Sequence, residues 1–178
     1  MTPQIAVFPA KEILRIVSHL YCMVCYRIEL ASHIKKEDNT SSKKITMKLD
    51  FYINYKGNCK EAFTFYEKQL GGKITMMNTF REMPDAAKIP DDRKDDILHA
   101  RIEIGGAVVM GADIPHAEPM RSAYLTLRVE SIEEAEKLYA LLSKGGEIFM
   151  KMEQTFFASR FAMLRDKFGT SWMLLCEK

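Results

Sequence analysis

Residues 47–178 predict an α+β fold, two βαβββ modules of about 47–113 and 121–178. Three observations carry that prediction. Each module opens on a segment with strand-period alternation, and each follows it with a segment of helical period. The same join then recurs: FYEKQLGGKI (65–74) lies beside YALLSKGGEI (139–148), with an aromatic near the start and a shared Gly-Gly-x-Ile exit. Self-similarity over a whole supersecondary unit sets the fold class more firmly than any single element does.

Taken in order, residues 48–55 alternate and are rich in aromatics, as in a strand. Residues 58–70 have helical spacing through Ala62, Phe63, Tyr66 and Leu70, and Gly71-Gly72 stops them. Residues 73–80 form the second strand. Residues 81–96 carry two prolines and a run of charges, which makes them a loop with no core of its own. Residues 97–104 and 107–111 are two strands joined by a Gly105-Gly106 hairpin turn. The second module repeats the order. Residues 123–129 alternate, and Ser131 caps a helix with Glu134 three positions on. That helix ends at Gly145-Gly146. Strands follow at 147–154, 160–164 and 170–176, the last two turning at Asp166-Lys167-Phe168-Gly169.

Residues 1–46 have a different character. They hold seven Lys/Arg against four Asp/Glu, whereas 47–178 hold nineteen against twenty, so the net charge of +2 belongs to the N-terminal part. So small a charge gives no reason to invoke nucleic acid. Residues 11–34 show a loose helical pattern, but their longest uncharged run, 16–26, is eleven residues. That is below the roughly 18–20 needed to cross a bilayer, and Glu12 and Arg15 break up any signal-peptide core. Residues 35–46 (KKEDNTSSKKIT) read as a polar linker, so 1–46 are expected to be an extension outside the core, helical or weakly structured. Cys22 and Cys25 form a C-x-x-C with no second ligand pair and no βαβ context, so neither zinc nor redox chemistry follows from them. With Cys59 and Cys176 the cysteines are too scattered for a disulfide framework, and a cytoplasmic location is expected.

Three blocks in order, FYINYKGNCKEAFTFYEKQLGG, HARIEIGGAVVMGAD and QTFFASRFAMLRDKFGTSWM, strongly resemble the PhnB-like branch of the vicinal-oxygen-chelate superfamily. This superfamily includes glyoxalase I, extradiol dioxygenases, and fosfomycin- and bleomycin-resistance proteins. The resemblance spans 47–178 and is silent on 1–46. It implies paired modules with curled mixed sheets enclosing a cavity, commonly in a homodimer. It also implies where metal ligands would stand, one on the first and one on the last strand of each module. Those places fall here on Phe51 or Tyr52, near Met110, on Tyr124 and on Leu174. None of these is a customary ligand for a hard divalent ion, so neither a metal site nor another cofactor is expected.

Strand alternation supplies the candidate site. In 97–104, Leu98, Ala100, Ile102 and Ile104 share a face suited to packing under a helix, leaving His99, Arg101 and Glu103 on the other. The same logic sends Tyr52 and Asn54 away from the packed Ile53 and Tyr55, and sends Tyr124 away from Leu125. Arg160 follows the aromatic pair Phe156-Phe157 near a strand start, where its planar fork suits a carboxylate or phosphonate. Tyr52, Asn54, His99, Arg101, Glu103, Tyr124 and Arg160 are therefore the expected lining of a site for a small polar or anionic molecule. An ordinary solvated face or a cross-strand ion pair stands as the alternative for His99, Arg101 and Glu103.

For nucleophilic catalysis the chain is poor, with no G-x-S-x-G and no histidine paired in sequence with Cys59. A methyltransferase reading lacks a glycine-rich nucleotide loop after a strand. The expectation is a metal-free, PhnB-like small-molecule-binding protein acting as a homodimer, with neither nucleic acid nor membrane as partner. A divalent-metal lyase, isomerase or dioxygenase and a drug-sequestering resistance protein are the alternatives.

Overall fold

The computed structural model describes residues 48–178. The expected N-terminal extension and its C-x-x-C lie outside the described residues. The first module contains β1 (Phe51–Tyr55), α1 (Cys59–Leu70), β2 (Lys73–Thr79), β3 (Ile97–Ile104) and β4 (Ala107–Asp113). The second contains β5 (Leu125–Val129), α2 (Ile132–Ser143), β6 (Glu147–Glu153), β7 (Ala158–Arg165) and β8 (Ser171–Glu177). Three short 3₁₀ turns occupy the loop between β2 and β3, and none of them buries a residue.

Each module folds into a four-stranded sheet of the same order, β1-β4-β3-β2 and β5-β8-β7-β6. The helical crossover lets the first strand of each module lie parallel to the last, and the other pairings are antiparallel. Each sheet is covered by a helix on one face. Against α1, which buries Cys59, Ala62, Phe63 and Tyr66, stand Ile53, Tyr55, Ala100, Ile102 and Val109. Against α2 stand Leu125, Ala162, Leu164 and Leu174, and these residues belong to the same continuous core. The sheets are not closed. Among the described residues no helix covers the other face of either sheet.

The Gly-Gly exits solve the same two problems twice. Gly71 at φ 67° and Gly145 at φ 75° take the left-handed conformation at the helix end. The second glycine of each pair lets chains approach closely. A Cβ on Gly72 would lie 2.8 Å from Ile102 Cδ1, and one on Gly146 would lie 2.2 Å from the Arg165 carbonyl oxygen. Ser131 caps α2 as expected, its Oγ accepting the Glu134 N–H at 3.1 Å. At α1 the cap comes from elsewhere. Asp113, at the end of β4, accepts the Cys59 N–H at 3.0 Å and the Ile97 N–H at 2.8 Å, fixing three elements with one buried carboxylate.

A second buried carboxylate joins the modules. Asp166 opens the β7–β8 turn and accepts four donors: Tyr66 Oη at 2.6 Å, Trp172 Nε1 at 2.8 Å, Phe168 N at 2.9 Å and Thr170 N at 3.0 Å. The Thr170 hydroxyl lies 2.9 Å from Tyr66 Oη and 3.1 Å from Tyr55 Oη. Tyr66 packs edge-on against both Phe168 and Trp172. Burial pushes the hydroxyls of Tyr55 and Tyr66 well above the ordinary phenol range.

Candidate binding site

The helix-free face of the first module is where the predicted polar residues meet. Across the sheet Tyr52 on β1 sits opposite Met110 on β4, Met110 opposite Arg101 on β3, and Arg101 opposite Met76 on β2. Tyr52 is 50% exposed and stacks on His99 with ring centroids 5.7 Å apart and planes 28° apart. Its hydroxyl is 3.3 Å from His99 Nδ1. Next along β3, Arg101 Nη2 lies 3.3 Å from Glu103 Oε1, with both side chains close to half exposed. Partial burial, and secondarily Cys59, raise the Tyr52 hydroxyl above the ordinary phenol range, so it keeps its proton and can donate.

β3 departs from simple alternation at its start. Asn78 pairs with His99 while Thr79 pairs with Ile97, so Leu98 is an extra residue in the ladder. Ile97 is fully buried and takes the packed place expected of Leu98, which is only half-buried. The bulge ends before His99, so His99, Arg101 and Glu103 stay on one face.

The other three predicted residues lie apart from this group. Asn54 is exposed and lines a cleft of about 440 Å³ at the module joint, together with Tyr55, Asn58, Arg165 and Asp166. Tyr124 belongs to the second module. It packs edge-on against Phe149 at 6.2 Å, its hydroxyl raised by burial, and lines a cleft of about 450 Å³ with Phe51, Val109 and Trp172. The expectation for Arg160 is corrected by its place in β7. Arg160 keeps the alternation of Ala162 and Leu164 and so stands on the side of α2, where its Nε meets Glu136 Oε1 at 2.6 Å. The register shift between Ala158 and Arg160 puts Ala158, not Arg160, on the other face. It does not share the face of Arg101.

The helix-free face of the second module differs in chemistry. Ala158, Phe161, Met163 and Leu175 form a small apolar cluster there, flanked by Tyr124, Met150, Phe157 and Met173. The structure also corrects the expected metal positions in this module. The pair equivalent to Tyr52 and Met110 is Thr126 and Met173, directly opposite each other on β5 and β8. Leu174 is fully buried in the core on the helix side. Two thioethers, a phenol and a hydroxyl do not make a site for a hard divalent ion. Among the described residues no three His, Cys, Asp or Glu side chains gather as a metal site would require.

A sequence model of the family described as 3-demethylubiquinone-9 3-methyltransferase matches residues 43–175. The chain belongs to this PhnB-like family. Protein YjdN of Escherichia coli (strain K12) is 31% identical over 141 residues, covering 72% of this chain and 94% of YjdN. The crystal structure of PA1353 from Pseudomonas aeruginosa has 37% identity and a TM-score of 0.66, covering 74% of this chain and 98% of that one. A PhnB protein from Bacillus cereus, described as a putative 3-demethylubiquinone-9 3-methyltransferase, has 23% identity and a TM-score of 0.63, over 73% and 99% of the two chains. The fold reaches further. The fosfomycin resistance protein FosX from Listeria monocytogenes has 11% identity and a TM-score of 0.53, over 75% and 95%. The PhnB-like chain therefore has the glyoxalase-type vicinal-oxygen-chelate fold.

Proposed function

We propose that this PhnB-like chain is a metal-free small-molecule-binding protein whose site is the helix-free face of the first module, in a homodimer. The observation that carries the reading is the joining of Tyr52, His99, Arg101 and Glu103 on one open face. That face offers an aromatic wall, a guanidinium and an imidazole, a combination suited to a small polar or anionic ligand. The donor set at the family's metal positions argues against Lewis-acid chemistry, so no reaction step is assigned. The methyltransferase activity in the family description is not adopted either, because the described residues form two four-stranded mixed sheets and no doubly wound nucleotide fold. Among the described residues no helix is long and apolar enough to cross a membrane; a cytoplasmic location is part of the proposal.

The proposed dimer contact rests on the apolar side chains that stay exposed, since the apolar cluster of the second module is itself buried. The second module exposes Phe156 beside an apolar cluster, and the first exposes Tyr52 and Met76. A second copy that brings its second module over the first would close the site and cover this apolar surface. Light scattering at micromolar concentration should give twice the chain mass. Protein purified without a histidine tag should carry far less than one equivalent of Zn, Fe, Mn or Ni. Phosphate or acetate should raise the thermal midpoint through mass action, and Arg101→Ala should abolish that rise. Stoichiometric metal that resists mild chelation, or an anion response that survives Arg101→Ala, overturns the reading.

A further inference from the structure

The helix-free face of the first module holds a histidine with one nitrogen already engaged. His99 Nδ1 faces the Tyr52 hydroxyl at 3.3 Å, and the near-parallel stack of the two rings fixes the imidazole plane. A neutral imidazole carries one N–H and one bare nitrogen, and the partner of one nitrogen sets which is which. The Tyr52 hydroxyl can donate to Nδ1 or accept from it, and where it donates the proton of neutral His99 resides on Nε2. Two positions along β3, on the same face and with its Cα roughly 7 Å from that of His99, stands Arg101. Glu103 Oε1 lies 3.3 Å from the Arg101 Nη2, and the Arg101 side chain is 41% exposed and so open to a ligand.

We propose that Tyr52 is a positioning residue: it holds His99 with its proton on Nε2, so that His99 and Arg101 present converging N–H donors to one small oxyanion. This deepens the site reading above and rests on it. The ligand class is a carboxylate, phosphate or phosphonate small enough to span neighbouring same-face residues of one strand. A second group on that ligand, a hydroxyl or an ammonium, would meet the Glu103 carboxylate. The Tyr52 hydroxyl, turned to His99, makes no bond to the oxyanion in this arrangement. It acts through the ring of His99, and its effect is on geometry and tautomer.

The test uses the full chain with ¹⁵N-labelled histidine, with His99→Gln assigning the His99 signals. At a pH read from the ring's own titration as neutral, His99 should show a protonated Nε2 and a bare, hydrogen-bonded Nδ1. In Tyr52→Phe the Nδ1 signal should move to the value of an unbonded nitrogen, with the stack retained. Titration with inorganic phosphate and with acetate should then show affinity about tenfold weaker in Tyr52→Phe, the loss expected for one hydrogen bond's worth of preorganisation. Arg101→Ala separates the two readings. If it leaves probe affinity unchanged, the site itself is misplaced. If Arg101→Ala abolishes binding while Tyr52→Phe binds as tightly as the native chain, the site stands and the positioning role falls. A neutral native His99 protonated on Nδ1 also overturns that role.

Discussion

The Tyr66 hydroxyl donates to the Asp166 carboxylate at 2.6 Å across the joint between the two modules. Tyr66 lies on the helix of the first module and Asp166 in a turn of the second, so this bond ties the halves into one core. Removing the carboxylate by Asp166→Ala would leave Trp172 Nε1 and the Phe168 and Thr170 N–H groups without that acceptor, and leave Tyr66 only the Thr170 hydroxyl. The expected cost is about 3 kcal/mol or more. Tyr66→Phe removes one bond to a charged acceptor and should cost about 1.5–3 kcal/mol. Urea unfolding measures both, and a loss in Asp166→Ala no larger than in Tyr66→Phe would deny Asp166 its joining role.

The same carboxylate gives the fold a pH dependence. Burial pushes Asp166 up, and its four donors pull it back only in part. An acid raised on folding holds its proton longer in the native state than in the unfolded chain. Its share of stability is therefore full below the ordinary carboxyl range and is lost as pH rises through the raised native value. Asp166→Asn should flatten that part of the stability–pH curve. A native curve equally flat in this range would show that the donors fully offset burial.

The two Gly-Gly exits make a comparative prediction. A Cβ at Gly146 meets backbone, the Arg165 carbonyl oxygen, which cannot swing aside, whereas a Cβ at Gly72 meets the flexible end of Ile102. Gly146→Ala should cost about 1–3 kcal/mol, as overpacking against a fixed group does, and Gly72→Ala less. Equal thermal midpoints for the two variants would contradict the close approach at Gly146.

These glycines also show what the sequence makes legible. Helix ends, strand order and the duplication are local patterns, and residues such as Ser131, Gly71 and Gly145 act where they stand in the chain. The face of β3 from His99 onward is legible for the same reason, because period 2 survives there. Leu98 is misplaced by sequence because a bulge at the start of β3 moves it off the packed face, whereas the expectation for Arg160 rests on its loop neighbours and not on the alternation it shares with Ala162 and Leu164. Asp113 and Asp166 show a third case. An Asp opening a turn that closes on Gly169 signals the bonds to Phe168 and Thr170, but not those to Tyr66 and Trp172. Tyr66 is a hundred residues away and leaves no local trace, and Trp172, though near in sequence, meets Asp166 only once the β7–β8 hairpin has formed.

Arg160 offers a control for the site. Its bond to Glu136 lies on the α2 side and is partly exposed, where such pairs contribute about 1 kcal/mol or less. Arg160→Ala should therefore lower the thermal midpoint slightly and leave phosphate and acetate binding unchanged. Weaker anion binding in this variant would return Arg160 to the site.

Neighbouring residues of β3 test the assignment of its faces most directly. Ile102 is fully buried among the residues under α1, and Glu103, one position on, is exposed beside Arg101. Ile102→Ala removes buried methyl groups and leaves a cavity, which costs about 2–5 kcal/mol. Glu103→Ala removes an exposed ion pair and should cost about 1 kcal/mol or less. Its effect should appear in binding instead, because without Glu103 the guanidinium of Arg101 loses its fixed orientation. Ile102→Ala should show the converse, lower stability with anion affinity per folded molecule unchanged. If Glu103→Ala were the one that unfolds the protein, the two faces of β3 would be inverted, and the binding site would have to be sought under the helix.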